Sequence, residues 1–227
     1  MSTDLLRARG ASRGVMFPGR SSVAHFTVCS PATLLATMAR QRRSEAVNIA
    51  AMRVEMLAPP WRNVDREQLI DLLIDAVRAG ASIGFLAPLD RDEARAFWDA
   101  TERGATTGER AILVARDDAA ASIVGTAQIA FVARTNGRHR AEVQKVLVNS
   151  GHRRRGVARL LITELESLAR SRGVRLLYLD TSEGSGGAVD FYEALGYAYA
   201  GGIPGWALDP DGTPAKNAIF YKELPPG

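Results

Sequence analysis

Two rhythms of apolar residues run through this sequence, one recurring every three or four positions and one suited to extended chain. Leu69, Leu72, Leu73, Ala76 and Val77 keep the first, which predicts a helix opened by a capping-box-like pair, Asp65 and Gln68, and stopped near Gly80. Residues 90–101, with Phe97 and Trp98, predict a second helix. Val157, Leu160, Leu161, Leu165 and Leu168 mark one face of a third, and residues 188–197 read as a short fourth. Strand-like runs lie at residues 52–57, halted by Pro59 and Pro60, and at 110–116, 122–133, 140–148, 175–181 and 218–224. Residues 117–120 and 135–137 supply turns, and Asn136-Gly137 is a hairpin signal. Residues 81–89 form a mostly apolar loop, and residues 201–217 a long loop or β-excursion. Strands and helices interleaved in this way predict a mixed α/β sheet with helices on its faces.

At 227 residues and 46% hydrophobic composition, the chain can bury one well-filled domain, with little room for a second. Its formal charge of +4 invites a nucleic-acid reading. The charge, however, sits mostly in the first 50 residues, where seven Arg face only Asp4 and Glu45, and the remainder is close to neutral. Nucleic acid is therefore not an expected partner. The arginine-rich residues 1–51 meet the superficial description of a transit peptide, and are read as a disordered extension or as upstream sequence from an early start codon, with Met38 or Met52 the real beginning. The domain is expected over residues 52–227. A single cysteine, Cys29, points to a reducing compartment and a cytoplasmic protein, and no apolar run is long enough to span a membrane. His25, His139 and His152 have no metal-ligand spacing.

The most informative stretch is EVQKVLVNSGHRRRGVARLL, residues 142–161. A strand runs through a polar break into a helix, and such a junction leaves first-turn amides without partners at the positive end of the helix dipole. It suits a pyrophosphate. Gly156 permits close backbone approach and Ala158 keeps bulk away. The order Arg153-Arg154-Arg155-Gly156-Val157-Ala158 resembles the signature of the GNAT acetyltransferases, in which Gln or Arg is followed by two residues, Gly, one residue, and Gly or Ala. RLLYLDT and AVDFYEALGY then stand where that family has a further strand and a tyrosine-bearing helix. AEVQK, LDT, the pattern from Ser185 to Tyr192 and the segment from Pro204 to Gly212 are similar to the tabtoxin-resistance type of GNAT enzyme. Arg154 stands where many members have Gly, and Ser185 where many have a cofactor-contacting Asn.

The resemblance implies a mixed, mostly antiparallel sheet flanked by helices on both faces, with acetyl-CoA as co-substrate. Backbone amides of Val146, Leu147 and Val148 would hold the acyl carbonyl and pantetheine arm. Those around Arg153, Arg154, Arg155, Gly156, Val157, Ala158 and Arg159 would hold the pyrophosphate, with Ser185 a further cofactor contact. Acyl transfer to an amine needs a base, and Glu142, just before the cofactor loop, is favoured over its rival role as a strand-edge residue paired to Arg140 or Lys145. Asp180, at the carboxyl end of the next strand, could orient the amine or share that task. Tyr192 would protonate the leaving thiolate, although by spacing alone it passes as core. Phe85, Phe97 and Trp98 read as core by composition, while the resemblance implies that the segment carrying them, residues 81–101, shapes the acceptor pocket. The expectation is acetyl transfer to an amine or hydroxyl of a small metabolite, with toxin or antibiotic detoxification as one version, by a monomer or homodimer. A non-catalytic acyl-CoA-binding module and a protein N-acetyltransferase remain open alternatives.

Overall fold

The computed structural model describes residues 52–184 and 187–225. Seven strands form one sheet in the order β1-β2-β3-β4-β5-β9-β6. They are β1 (Met52–Met56), β2 (Arg110–Asp117), β3 (Ser122–Phe131), β4 (Arg140–Val148), β5 (Leu176–Ser182), β6 (Ala198–Gly201) and β9 (Asn217–Glu223). Every neighbour pair is antiparallel except β4 with β5. A small hairpin of β7 (Ala207–Leu208) and β8 (Pro214–Ala215) stands on the connection between β6 and β9.

Helices cover both faces. On one side α1 (Asn63–Arg78) and α2 (Arg91–Thr106) bury Leu69, Leu72, Leu73, Ala76 and Trp98 against Ile112, Val114 and Ile123. On the other, α3 (Val157–Ser171) and the short α4 (Ala188–Glu193) close over Leu113, Ala127, Ile129, Val143, Leu177, Leu179 and Phe220. The strand periods and helix stripes of the sequence correspond to these two cores. Gly125 lets α3 approach closely: a Cβ there would lie 2.9 Å from the Leu147 carbonyl and 3.1 Å from both Leu161 and Val157.

Local expectations fail in two places. α1 begins at Asn63, and Asp65 makes no capping box. Its buried carboxylate instead accepts from Arg62 at 2.8 Å and Arg116 at 2.7 Å, while Gln68 accepts from the Ile123 amide. Burial pushes the Asp65 carboxyl up, but the hydrogen bonds from Arg62 and Arg116 outweigh it and hold it below the usual range. β3 and β4 do form a hairpin, but through a single 3₁₀ turn over Thr135–Gly137 within a longer connection. Gly137 lies outside the left-handed region that a tight Asn-Gly hairpin turn needs.

Candidate active site

β4 is the element on which the site is built. Ala141 and Val143 bury toward α3, so Glu142 and Gln144 face the α1/α2 side. At Lys145 the backbone enters the left-handed region, with φ of +46°, and the register against β3 jumps from Gln128↔Gln144 to Thr126↔Leu147. One extra residue on a strand inverts the faces that follow. Leu147 accordingly buries in the α1/α2 core, while Val146 and Val148 pack on the α3 side.

The same strand loses its neighbour. β5 pairs with β4 only through Arg140↔Leu176, Ala141↔Leu177 and Glu142↔Tyr178, and beyond that point the two parallel strands part. The Asn149 amide donates to the Val124 carbonyl at 2.9 Å, so by antiparallel alternation Leu147 is also bonded to β3, opposite Thr126. Val148, between them, turns its N–H and carbonyl toward the opening left by β5. Of the three residues expected to offer amides to a pantetheine arm, Leu147 has its amide engaged elsewhere.

At one mouth of this opening lies the loop into α3. Asp75 of α1 anchors it, accepting from the Ser150 amide at 2.8 Å and the Ser150 hydroxyl at 3.0 Å. Asn149 Oδ1 accepts from the Gly151 amide at 3.0 Å and tightens the turn. Arg154 has φ of +59° and Gly156, the N-cap of α3, φ of +81°. No side chain caps the helix, so the first-turn amides of Val157, Ala158 and Arg159 remain for an external acceptor. Arg153, Arg154 and Arg159 are exposed and Arg155 partly so. Among the described residues none of the four has an acidic partner. Uncapped amides, a helix dipole and unneutralised guanidinium groups fit a linked pair of phosphates. Ser185 lies outside the described residues.

At the other mouth is a cavity of about 250 Å³. Asp180 and Tyr192 line it with Lys145 and Val146, the loop residues Ser82 to Gly84, Trp206 from the excursion between β6 and β9, and Asn217 at the start of β9. A hydrogen bond from the Ala87 amide to the Pro210 carbonyl, 2.8 Å, ties that loop to the excursion. Tyr192 is only 7% exposed, with its ring 5.1 Å from Phe191, 5.6 Å from Tyr197 and 5.8 Å from Phe220. Burial pushes its phenol well above the usual tyrosine range. Asp180 is exposed on β5.

Glu142 does not line the cavity but sits deeper in the cleft, across from Tyr178. Burial and the negative charge of Glu142 together raise the Tyr178 phenol. Among the described residues Glu142 has no ion-pair partner, and neither Arg140 nor Lys145 reaches it at that range. Phe85, Phe97 and Trp98 form an edge-to-face aromatic chain in the α1/α2 core, as composition implied. Sequence reasoning missed Lys145 as a cavity residue and Asp75 as the loop's anchor. The signal for the first was the Gln144-Lys145 pair, where strand alternation slips; Asp75 has no sequence signature.

Residues 67–197 match the model of the acetyltransferase (GNAT) family. The chain is 35% identical over 121 residues to an uncharacterized N-acetyltransferase from the hisH–hisA intergenic region of Azospirillum brasilense, covering 52% of this chain and 69% of that one. In fold it resembles a Salmonella typhimurium structure solved with its cofactor acetyl-CoA, with TM-score 0.62 and 18% identity over 78% of this chain and 96% of that one. It also resembles a ribosomal-protein-alanine N-acetyltransferase from Brucella melitensis, with TM-score 0.61 and 23% identity over 76% and 99% of the two chains.

Proposed function

This chain belongs to the GNAT acetyltransferase family and is an N-acetyltransferase that uses acetyl-CoA, and on that premise we propose that it acetylates the amine of a small metabolite by direct attack within a ternary complex. Acetyl-CoA, when bound, supplies an acetyl group already activated as a thioester. The uncapped α3 amides with Arg153, Arg154, Arg155 and Arg159 would hold its pyrophosphate, and Val146 and Val148 would bind its pantetheine arm as an added strand does. Asp180, on the cavity wall, would orient the incoming amine. Glu142, unpaired and deeper, would take the amine proton through a water. Tyr192, kept protonated by burial, would return a proton to the departing sulfur.

The observation that supports this most is the parting of β4 and β5 just above the Glu142↔Tyr178 pair, which leaves a length of β4 without β5 beside it, near an uncapped helix start and a cavity lined by Asp180. The modest cavity beneath the loop of residues 82–88 favours a small acceptor over a protein chain. The likeness of Pro204 to Gly212 and the LDT strand to the tabtoxin-resistance type supports a toxin or antibiotic as that acceptor. An acceptor screen read by release of the CoA thiol tests the reading. With the acceptor in hand, Glu142→Gln is expected to lower kcat by about 10²-fold or more while acetyl-CoA affinity stays within a few-fold. Unchanged turnover at neutral pH would remove Glu142 from the role.

A further inference from the structure

Lys145 is a cation in the acceptor cavity with no anion assigned to it. The bulge in β4 turns its side chain onto the α1/α2 face, where it lines the cavity with Asp180. Its Nζ donates to the Ile83 carbonyl at 2.7 Å and lies 5.6 Å from the Phe97 ring centre and 5.9 Å from that of Phe85. An ammonium has three hydrogens to place, and the carbonyl takes one. Among the described residues no carboxylate approaches Lys145 closely enough for an ion pair. Asp180 and Glu142 are near enough for their charges to be felt, but do not touch it. A strand residue would need a reason to accept both a left-handed backbone and a half-buried charge, each of which is unfavourable alone.

We infer that the acceptor is an amine that also carries a carboxylate, an α-amino acid or a close analogue, with Lys145 pairing to the carboxylate while Asp180 and Glu142 serve the amine. Lys145 and Asp180 place a cation and an anion on the wall of one small cavity, which matches the charge pattern of a zwitterion; Glu142 lies deeper in the cleft, and the other lining cation, Lys216, is already paired to Glu183 at 2.9 Å. Burial lowers the Lys145 pKa against the opposing pull of Asp180 and Glu142, so an arriving carboxylate relieves a desolvated charge at the moment it binds. The ring pair and the Ile83 carbonyl hold the ammonium in place beforehand, which reduces the entropy lost on binding. This inference rests on the acetyl-transfer reading above and adds the acceptor's second group.

The test uses the full-length protein with acetyl-CoA and the common α-amino acids, each compared with its carboxamide and with the amine left by decarboxylation, all read by CoA release. At least one amino acid is expected to exceed both of its counterparts lacking the carboxylate in kcat/KM by about 10- to 100-fold, the worth of one charge-assisted hydrogen bond. Lys145→Met is expected to erase that ratio, mainly through KM, and Lys145→Arg to keep part of it. A lysine that merely packs would alter all three substrate forms alike and leave the ratio intact, which would overturn the assignment. So would carboxamides or decarboxylated amines turned over as well as or better than their parent amino acids in the wild-type protein, whatever the variants do. Turnover of no amine of either kind, with acetyl-CoA binding intact by calorimetry, would overturn the acetyl-transfer reading and this inference together.

Discussion

Replacing Tyr192 by Phe separates a catalytic tyrosine from a packing one, because the two roles use different parts of the side chain. The ring contacts Phe191, Tyr197 and Phe220, and phenylalanine keeps all three. The hydroxyl has no hydrogen-bond acceptor among the described residues, so its removal is expected to change stability by no more than about 0.5 kcal/mol. Its loss as a proton donor should cost about 10²- to 10⁴-fold in kcat, or about 3–5 kcal/mol at the barrier. Thermal denaturation and single-turnover CoA release measure the two effects on one preparation. Unchanged melting with kcat within threefold of wild type would return Tyr192 to the core. The pH profile offers a second check. Burial raises this phenol above its unfolded value of about 10, so the protonated form persists through the ordinary alkaline range and kcat should show no limb from Tyr192 below about pH 10. The linked stability has the matching sign: it is fully present below about pH 10 and is lost as pH rises toward the folded pKa.

Three further perturbations follow from the same geometry. Arg154→Gly relieves a side chain held at φ +59° and should gain about 1 kcal/mol, or about 2–4 °C in Tm, while weakening acetyl-CoA binding through the lost guanidinium. Higher affinity for acetyl-CoA would refute the phosphate assignment. Gly125→Val forces a side chain against the Leu147 carbonyl, Leu161 and Val157, and should cost about 1–3 kcal/mol together with a raised KM for acetyl-CoA as the start of α3 is displaced. An unchanged Tm in a denaturation scan would show that α3 is not held this closely. Asp65→Asn leaves Arg116, whose side chain is 7% exposed, with one carboxylate fewer, and should cost about 3 kcal/mol or more by urea denaturation. In the wild type that stabilisation is present above about pH 4 and is lost as pH falls further, because the folded pKa of Asp65 is depressed.

Much of this was legible in the sequence, and where it was not, the reason is physical. The stripes of α1 and α3 and the strand runs are local patterns, and each reached the core that its period implied. The start of α1 misled because Asp65 has a local use as a cap and a distant one as partner to Arg116, 51 residues away, and the buried guanidinium prevails. The loop proposed to hold the phosphates suggested that role in the sequence because its candidate residues, Arg153 to Arg159, are consecutive. The cavity could not be read this way, since it gathers Ser82, Lys145, Asp180, Tyr192 and Asn217 from five separate parts of the chain. Lys145 carried a faint mark in the slipped alternation of Gln144-Lys145, yet which face it would reach depended on a bulge set by pairing with β3. Nothing local announced that β9 would insert between β5 and β6.

That insertion has a consequence for biogenesis. β5 gains its antiparallel neighbour, and β6 its only one in the sheet among the described residues, from Asn217–Glu223, which follows both of them in the chain. A ribosome that has delivered residues 149–159, Glu142 and Asp180 still holds back the strand that pairs antiparallel with β5. Catalytic competence should therefore wait for Asn217–Glu223 to emerge, and premature termination even a few codons before Asn217 should yield an inert polypeptide with two exposed β edges.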